Sequence, residues 1–110
     1  QESGIAPNFV HSMDGCHLRK TIMHCFSKYG ITDFAVIHDS FGCCPADADN
    51  LFRGVREAMV EAYENHDVMQ DFFEQFADQL HESQVEKMPA IPAKGSLNIR
   101  SILESDFAFA

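Results

Sequence analysis

No stretch of this 110-residue sequence approaches the ~18 consecutive apolar residues of a membrane span, so no membrane partner is expected. Its opening, QESGIAPNF, lacks the basic-then-apolar order of a secretion signal. Four cysteines (Cys16, Cys25, Cys43, Cys44) fall in no disulfide-framework spacing and form no C-x-x-C-like knuckle, which argues for reduced thiols, a cytoplasmic setting and no structural zinc. Between Glu57 and Glu86 there is no Lys or Arg, against nine acidic residues. Outside that window eight acids meet eight bases, so the net charge of −9 belongs to this one block. A block of one sign repels polyanions, which argues against a chain that binds nucleic acid independently; structurally it reads as solvated helix faces. The sequence contains no internal repeat and no low-complexity segment. It begins on Gln, which suggests a processed chain or a piece of a longer one.

What is present is ordinary for a globular protein: 45% hydrophobic and 23% charged residues, in a length that suits one domain or part of one. Leu18, Ile22, Cys25 or Phe26, and Tyr29 recur at helical spacing. Ser12 or Asp14 is expected to cap that helix, and Gly30 suits a left-handed C-cap. ITDFAVI reads as a strand, HDSFG as a turn and FGCC as the returning strand, with Pro45 as its stop. A second helix is expected from Ala46, burying Leu51, Val55, Ala58 or Met59, and Ala62. Asp67 and Gln70 resemble a capping box for a third, burying Met69, Phe72 or Phe73, Phe76 and Leu80. PAIPAKGSLN is a connector, and LNIRSILES has room for one or two helical turns. A lone hairpin is marginal in water, which hints that the sheet continues beyond this sequence.

Asp39 is the first candidate for chemistry. A carboxylate at a hairpin tip is held on rigid backbone, and hard Mg²⁺ ions take oxygen ligands. Asp and Ser are also the commonest turn formers, so Asp39 and Ser40 equally suit a purely structural turn. His17 and His24, seven apart, share a helix face. Adjacent Cys43 and Cys44 point to opposite faces of a strand and do not readily chelate one metal. His11 beside a helix start has a plain surface reading. Phe107 and Phe109 suggest a chain end tucked into something apolar.

Taken together, NFVHSMDGCHLRKT, FAVIHDSFG, EQFADQLHES and KMPAIPAKGSLNIRSILESDFAFA resemble the C-terminal end of bacteriophage single-subunit DNA-dependent RNA polymerases of the T-odd type. The resemblance runs along the whole chain. It implies an α+β fold: the C-terminal part of a right-hand polymerase palm, built as helix–β-hairpin–helix–helix and followed by an extended C-terminal foot. Residues 1–87 would be the palm segment carrying HDS, and residues 88–110 the foot that packs toward the active site. Asp39 matches a catalytic carboxylate that binds Mg²⁺ in a two-metal site completed by an aspartate outside this chain. His38 and Ser40 flank it, His11 matches a histidine near the growing RNA end, and Phe109 and Ala110 match a terminal pair close to the active site. Met13, Cys16, His24, Cys25, Cys43 and Cys44 depart from what the resemblance leads one to expect. The implied partners are the remainder of the polymerase (fingers, thumb, rest of the palm, N-terminal region), the DNA template, the RNA product and ribonucleoside triphosphates. The implied location is the cytoplasm of an infected bacterial host. With one metal-binding aspartate, the isolated chain is expected not to polymerise. Two other classes fit the residues without the resemblance: a small acidic, non-catalytic interaction module, and an Asp-dependent phosphohydrolase that lacks a supporting Lys or second Asp.

Overall fold

In a computed structural model, which describes residues 2–109, helix α1 (Glu2–Tyr29) leads into a hairpin of β1 (Phe34–Ile37) and β2 (Ser40–Cys43). A 3-10 turn at Pro45–Asp47 feeds α2 (Ala48–Glu64), then α3 (Val68–Ala77), the one-turn α4 (Glu82–Val85) and a 3-10 segment at Ile99–Glu104. The fold is α+β, with a small antiparallel hairpin among several helices. No helix among the described residues is long and apolar enough to cross a membrane.

The expected cap at Ser12 or Asp14 is not where α1 begins. The helix runs unbroken from Glu2 and passes through Pro7, which forfeits one backbone donor. Its other end follows the chemistry of its glycine. Gly30 adopts φ 70, its N–H donates to the Phe26 carbonyl at 3.1 Å, and the next N–H, of Ile31, donates to the Cys25 carbonyl at 3.3 Å, so the left-handed cap closes with two bonds. This turns Ile31 inward, where it is 1% exposed.

The core sits where α1 crosses α2. Cys25, Ile31, Leu51 and Val55 are buried there, with Tyr29, Phe34, Phe41, Cys43 and Phe109 packed against them. Gly54 makes the close crossing possible, because a Cβ at that position would collide with Cys25 Sγ. The α2 stripe falls as its spacing predicts on Leu51, Val55, Ala58 and Ala62, and Arg56 is buried beside it.

Helix α3 starts as expected, with the Asp67 carboxylate accepting from the Gln70 N–H at 3.2 Å. The reciprocal half of the capping box is missing, since the Gln70 side chain donates to Glu74 instead. The predicted α3 stripe is not buried: no residue of the helix is fully covered, and Met69, Phe76 and, beyond its end, Leu80 are each 39% exposed. On α1, Val10, Met23 and Phe26 are also open to solvent. The Cα radius of gyration is 17.0 Å, against about 13 Å for a compact domain of this length. Apolar surface on this scale is what a protein interface requires.

Candidate active site

The strands pair in the register Val36↔Phe41 and Ile37↔Ser40, so only His38 and Asp39 lie in the turn. The turn is two residues long, tighter than the five-residue HDSFG. His38 carries φ 55, a left-handed conformation that a two-residue hairpin needs and that histidine adopts at modest cost. The strained residue therefore sits immediately before the carboxylate it helps to present. Asp39 and His38 project into solvent from this tip, and Ser40 opens β2, also exposed.

Behind the tip lies an open groove of about 470 Å³ between the hairpin, α2 and the chain end. Asp39, Ser40, Phe41, Phe52, Arg56 and Phe109 are among its walls. Of the residues singled out from sequence, the fold thus brings Asp39, Ser40 and Phe109 to one groove, while His38 shares the turn with Asp39 but is not among the groove's walls. His11 is exposed on α1 and is not part of the groove wall. Ala110 lies outside the described residues. Phe107, expected to be tucked in, is 89% exposed, so of the two tail phenylalanines only Phe109 enters the core.

Two residues whose part here is not visible in the sequence are Arg56, which lines the groove, and His17, which packs on two of its walls, Phe41 and Phe109. His17 Nε2 donates to the Val55 carbonyl at 2.9 Å, its ring stacks on Phe109 (5.3 Å between centroids), and it meets Phe41 edge-on at 5.7 Å. Arg56, only 2% exposed, donates to the carbonyls of Phe52 and Ser105 and reaches that of Asp106. The shared face of His17 and His24 was the available signal: both point at α2, where His24 Nε2 donates to Glu57 at 2.8 Å.

Glu57 is the electrostatic centre of the back face. Burial pushes its carboxyl up, but hydrogen bonds from Lys28, His24 and Tyr29 outweigh that and hold it at about 2. The thiols move the other way. Burial first, then Glu57 and Cys43, push Cys25 up; burial first, then Asp47 and Cys44, push Cys43 up. Neutral thiols are poor nucleophiles and poor metal ligands. Among the described residues no three His, Cys, Asp or Glu side chains converge as a metal site would require. The donor set at the hairpin tip is one carboxylate, which suits a single ligand of a shared Mg²⁺ site but not a complete one.

Residues 1–89 match the DNA-dependent RNA polymerase family. The chain belongs to that family. Over all 110 residues it is 72% identical to the T7 RNA polymerase of Escherichia phage T7. It is 70% identical over the same length to the DNA-directed RNA polymerase of Enterobacteria phage K11, and 66% to that of Enterobacteria phage T3. The chain spans 12% of the length of each of these relatives. Each of these matches runs over all 110 residues, and so over the hairpin, α2 and the tail.

Proposed function

We propose that this chain is the C-terminal palm segment and foot of a phage-type DNA-directed RNA polymerase, and that Asp39 supplies one metal-binding carboxylate for nucleotidyl transfer. The observation that carries the reading is the display of Asp39 on a strained two-residue turn, at a groove closed from behind by the chain end. A turn former needs no groove; a carboxylate that works on a substrate does. Residues 1–87 form the palm segment and 88–110 the foot, acting in the cytoplasm of an infected bacterium.

In this reading the RNA 3′-hydroxyl attacks the α-phosphorus of an incoming ribonucleotide, and the pyrophosphate leaves in line. Mg²⁺, when bound, stabilises the attacking and leaving oxygens of that displacement. Asp39 offers its carboxylate oxygens as ligands, and the hairpin ladder fixes where they point. His38 and Ser40 flank the ligand, and His11 serves at the growing RNA end. The second aspartate, the fingers, the thumb and the remaining contacts to template, RNA and ribonucleotides come from the rest of the polymerase, so the chain alone does not polymerise.

The test is Asp39→Ala in the complete polymerase. Loss of a metal ligand acts mainly on the chemical step, so nucleotide addition should fall on the order of 10³-fold or more while template binding stays within about threefold. Undiminished synthesis would leave the acidic, non-catalytic interaction module as the better account.

A further inference from the structure

We infer that Arg56 and His17 are positioning residues that clamp the C-terminal segment across the Asp39 groove, and that they act on nucleotide addition through that segment. The inference rests on the role of Asp39 proposed above.

A chain end normally frays, because its last residues gain too little contact to offset their ordering. Here it is held at two points. The Nε and Nη2 groups of Arg56 converge on the Ser105 carbonyl at 3.2 and 3.1 Å, and Nη2 also reaches the Asp106 carbonyl at 3.4 Å. The same guanidinium is tied to its own helix through the Phe52 carbonyl at 2.9 Å and lies 3.4 Å from the centre of the Phe52 ring. Burying a cation is costly, and among the described residues its partners are backbone carbonyls and an aromatic face; no carboxylate pairs with it. Such an arrangement serves geometry better than stability. A planar fork can fix a carbonyl in direction as well as distance, which an ammonium cannot.

Three residues further on, the His17 ring stacks on Phe109 with 23° between planes, and Phe41 closes over the same histidine. The His17 bond to Val55 ties this anchor to α2, one residue from Arg56. Both anchors therefore spring from one point of the helix pair, and between them they fix the path of the chain from Ser105 to Phe109. Arg56, Phe109 and Asp39 line one groove, so the position of Phe109 is set relative to the carboxylate.

The experiment uses the full-length polymerase carrying Arg56→Lys, Arg56→Gln or His17→Gln, with Asp39→Ala as the control for the site itself. His17→Gln keeps a donor for Val55 and removes the stack. Three quantities are read: the rate and KM of single-nucleotide addition, the release of Phe109 by carboxypeptidase, and the melting temperature. Each anchor variant should lose about 10- to 100-fold in rate, since misplacing a group by an ångström costs that much, with KM within about threefold. Phe109 release should accelerate at least tenfold (on the same loss of ordering) while melting shifts by only a few degrees. Lysine should fare no better than glutamine. A rate loss without faster Phe109 release would overturn the inference in favour of a core role, and so would faster release with an unchanged rate. Should the Arg56 variants not fold, His17→Gln decides by the same measures. An active Asp39→Ala enzyme would instead remove the proposed role of Asp39, an outcome distinct from either.

Discussion

Gly54→Ala is the sharpest perturbation of the frame that holds the groove. Gly54 lies mid-helix in α2, where glycine is unfavourable by about 0.8–1 kcal/mol relative to alanine, so helix propensity alone predicts a gain. Packing predicts the opposite. The new Cβ falls well inside van der Waals contact with Cys25 Sγ, and Cys25 is 0% exposed with no open side to retreat into. The Tyr29 ring carbons at 3.5 and 3.7 Å are ordinary contacts and add no strain of their own. Forcing a methyl into a core site costs typically about 1–3 kcal/mol, and so deep a collision belongs at the upper end, about 2–3 kcal/mol, so the net expectation is a loss of about 1–2 kcal/mol. For a chain of this size, at roughly 4–8 °C per kcal/mol, that is a fall of roughly 4–16 °C in melting temperature. The assay is denaturant and thermal unfolding of four proteins: the parent, Gly54→Ala, Cys25→Ala and the double variant. Removing Sγ opens the space the new methyl needs, so the double variant should be more stable than the sum of the singles by about 1–3 kcal/mol. A Gly54→Ala protein as stable as the parent, or a pair that adds within about 0.5 kcal/mol, would refute the close-crossing account.

Glu57→Gln should show a pH-dependent deficit. The folded-state value of about 2 lies below the ordinary 4.5, so the stabilisation is full above about 4.5 and disappears as pH falls toward 2. Allowing for solvent screening of a partly exposed side chain, the deficit should be about 2 kcal/mol at pH 7. Unfolding midpoints of the two proteins should converge as the pH falls from 4.5 toward 2; a gap that widens there would reverse the assignment. His38→Gly removes a side chain from the left-handed region and should leave stability unchanged or raise it by up to about 1 kcal/mol in thermal melts. Nucleotide addition by the corresponding full-length polymerase should nevertheless fall, because the histidine that flanks Asp39 is lost; a variant both stable and fully active would mark His38 as a turn residue alone.

Local chemistry was legible wherever a residue acts on its own neighbourhood. Gly30 ends a helix because only glycine is free at positive φ, and Asp67 starts one because its carboxylate reaches a backbone N–H three residues on. The strand pair could be read from its β-branched and aromatic runs, though its turn closes three residues before the glycine that was expected to end it. What could not be read depends on distance along the chain. Arg56 is buried by carbonyls 49 and 50 residues away, and His17 is fixed by one 38 residues away. The start of α1 was missed for a different reason. Its N-terminal half shows no single apolar face, since Val10 stays open while Phe9 packs on Phe72, so periodicity has no stripe to follow back to Glu2. Helix α3 shows the converse: its stripe is clear in the sequence, and no described part of this chain fully covers it.

The acidic block poses a problem for any chain placed beside nucleic acid, and the ion pairs resolve it. Lys28 binds Glu57, Lys94 binds Asp67 and Arg100 binds Glu64, while Arg56 is buried on carbonyls. Half of the eight basic residues are thus spent within the chain. Lys94 lies in the connector and Arg100 follows it, so the last part of the chain is pinned along the acidic helices by its own cations. Neutralising a template needs one cation for each phosphate held, and few are left here to supply it. On the proposed reading, phosphate binding then falls to the rest of the polymerase, and this segment has a geometric task. It builds the α1–α2 frame, stands the hairpin on it and fixes the chain end behind Asp39. An acidic outer surface is compatible with that task, because the proposed reading asks for a single carboxylate, Asp39, at the groove.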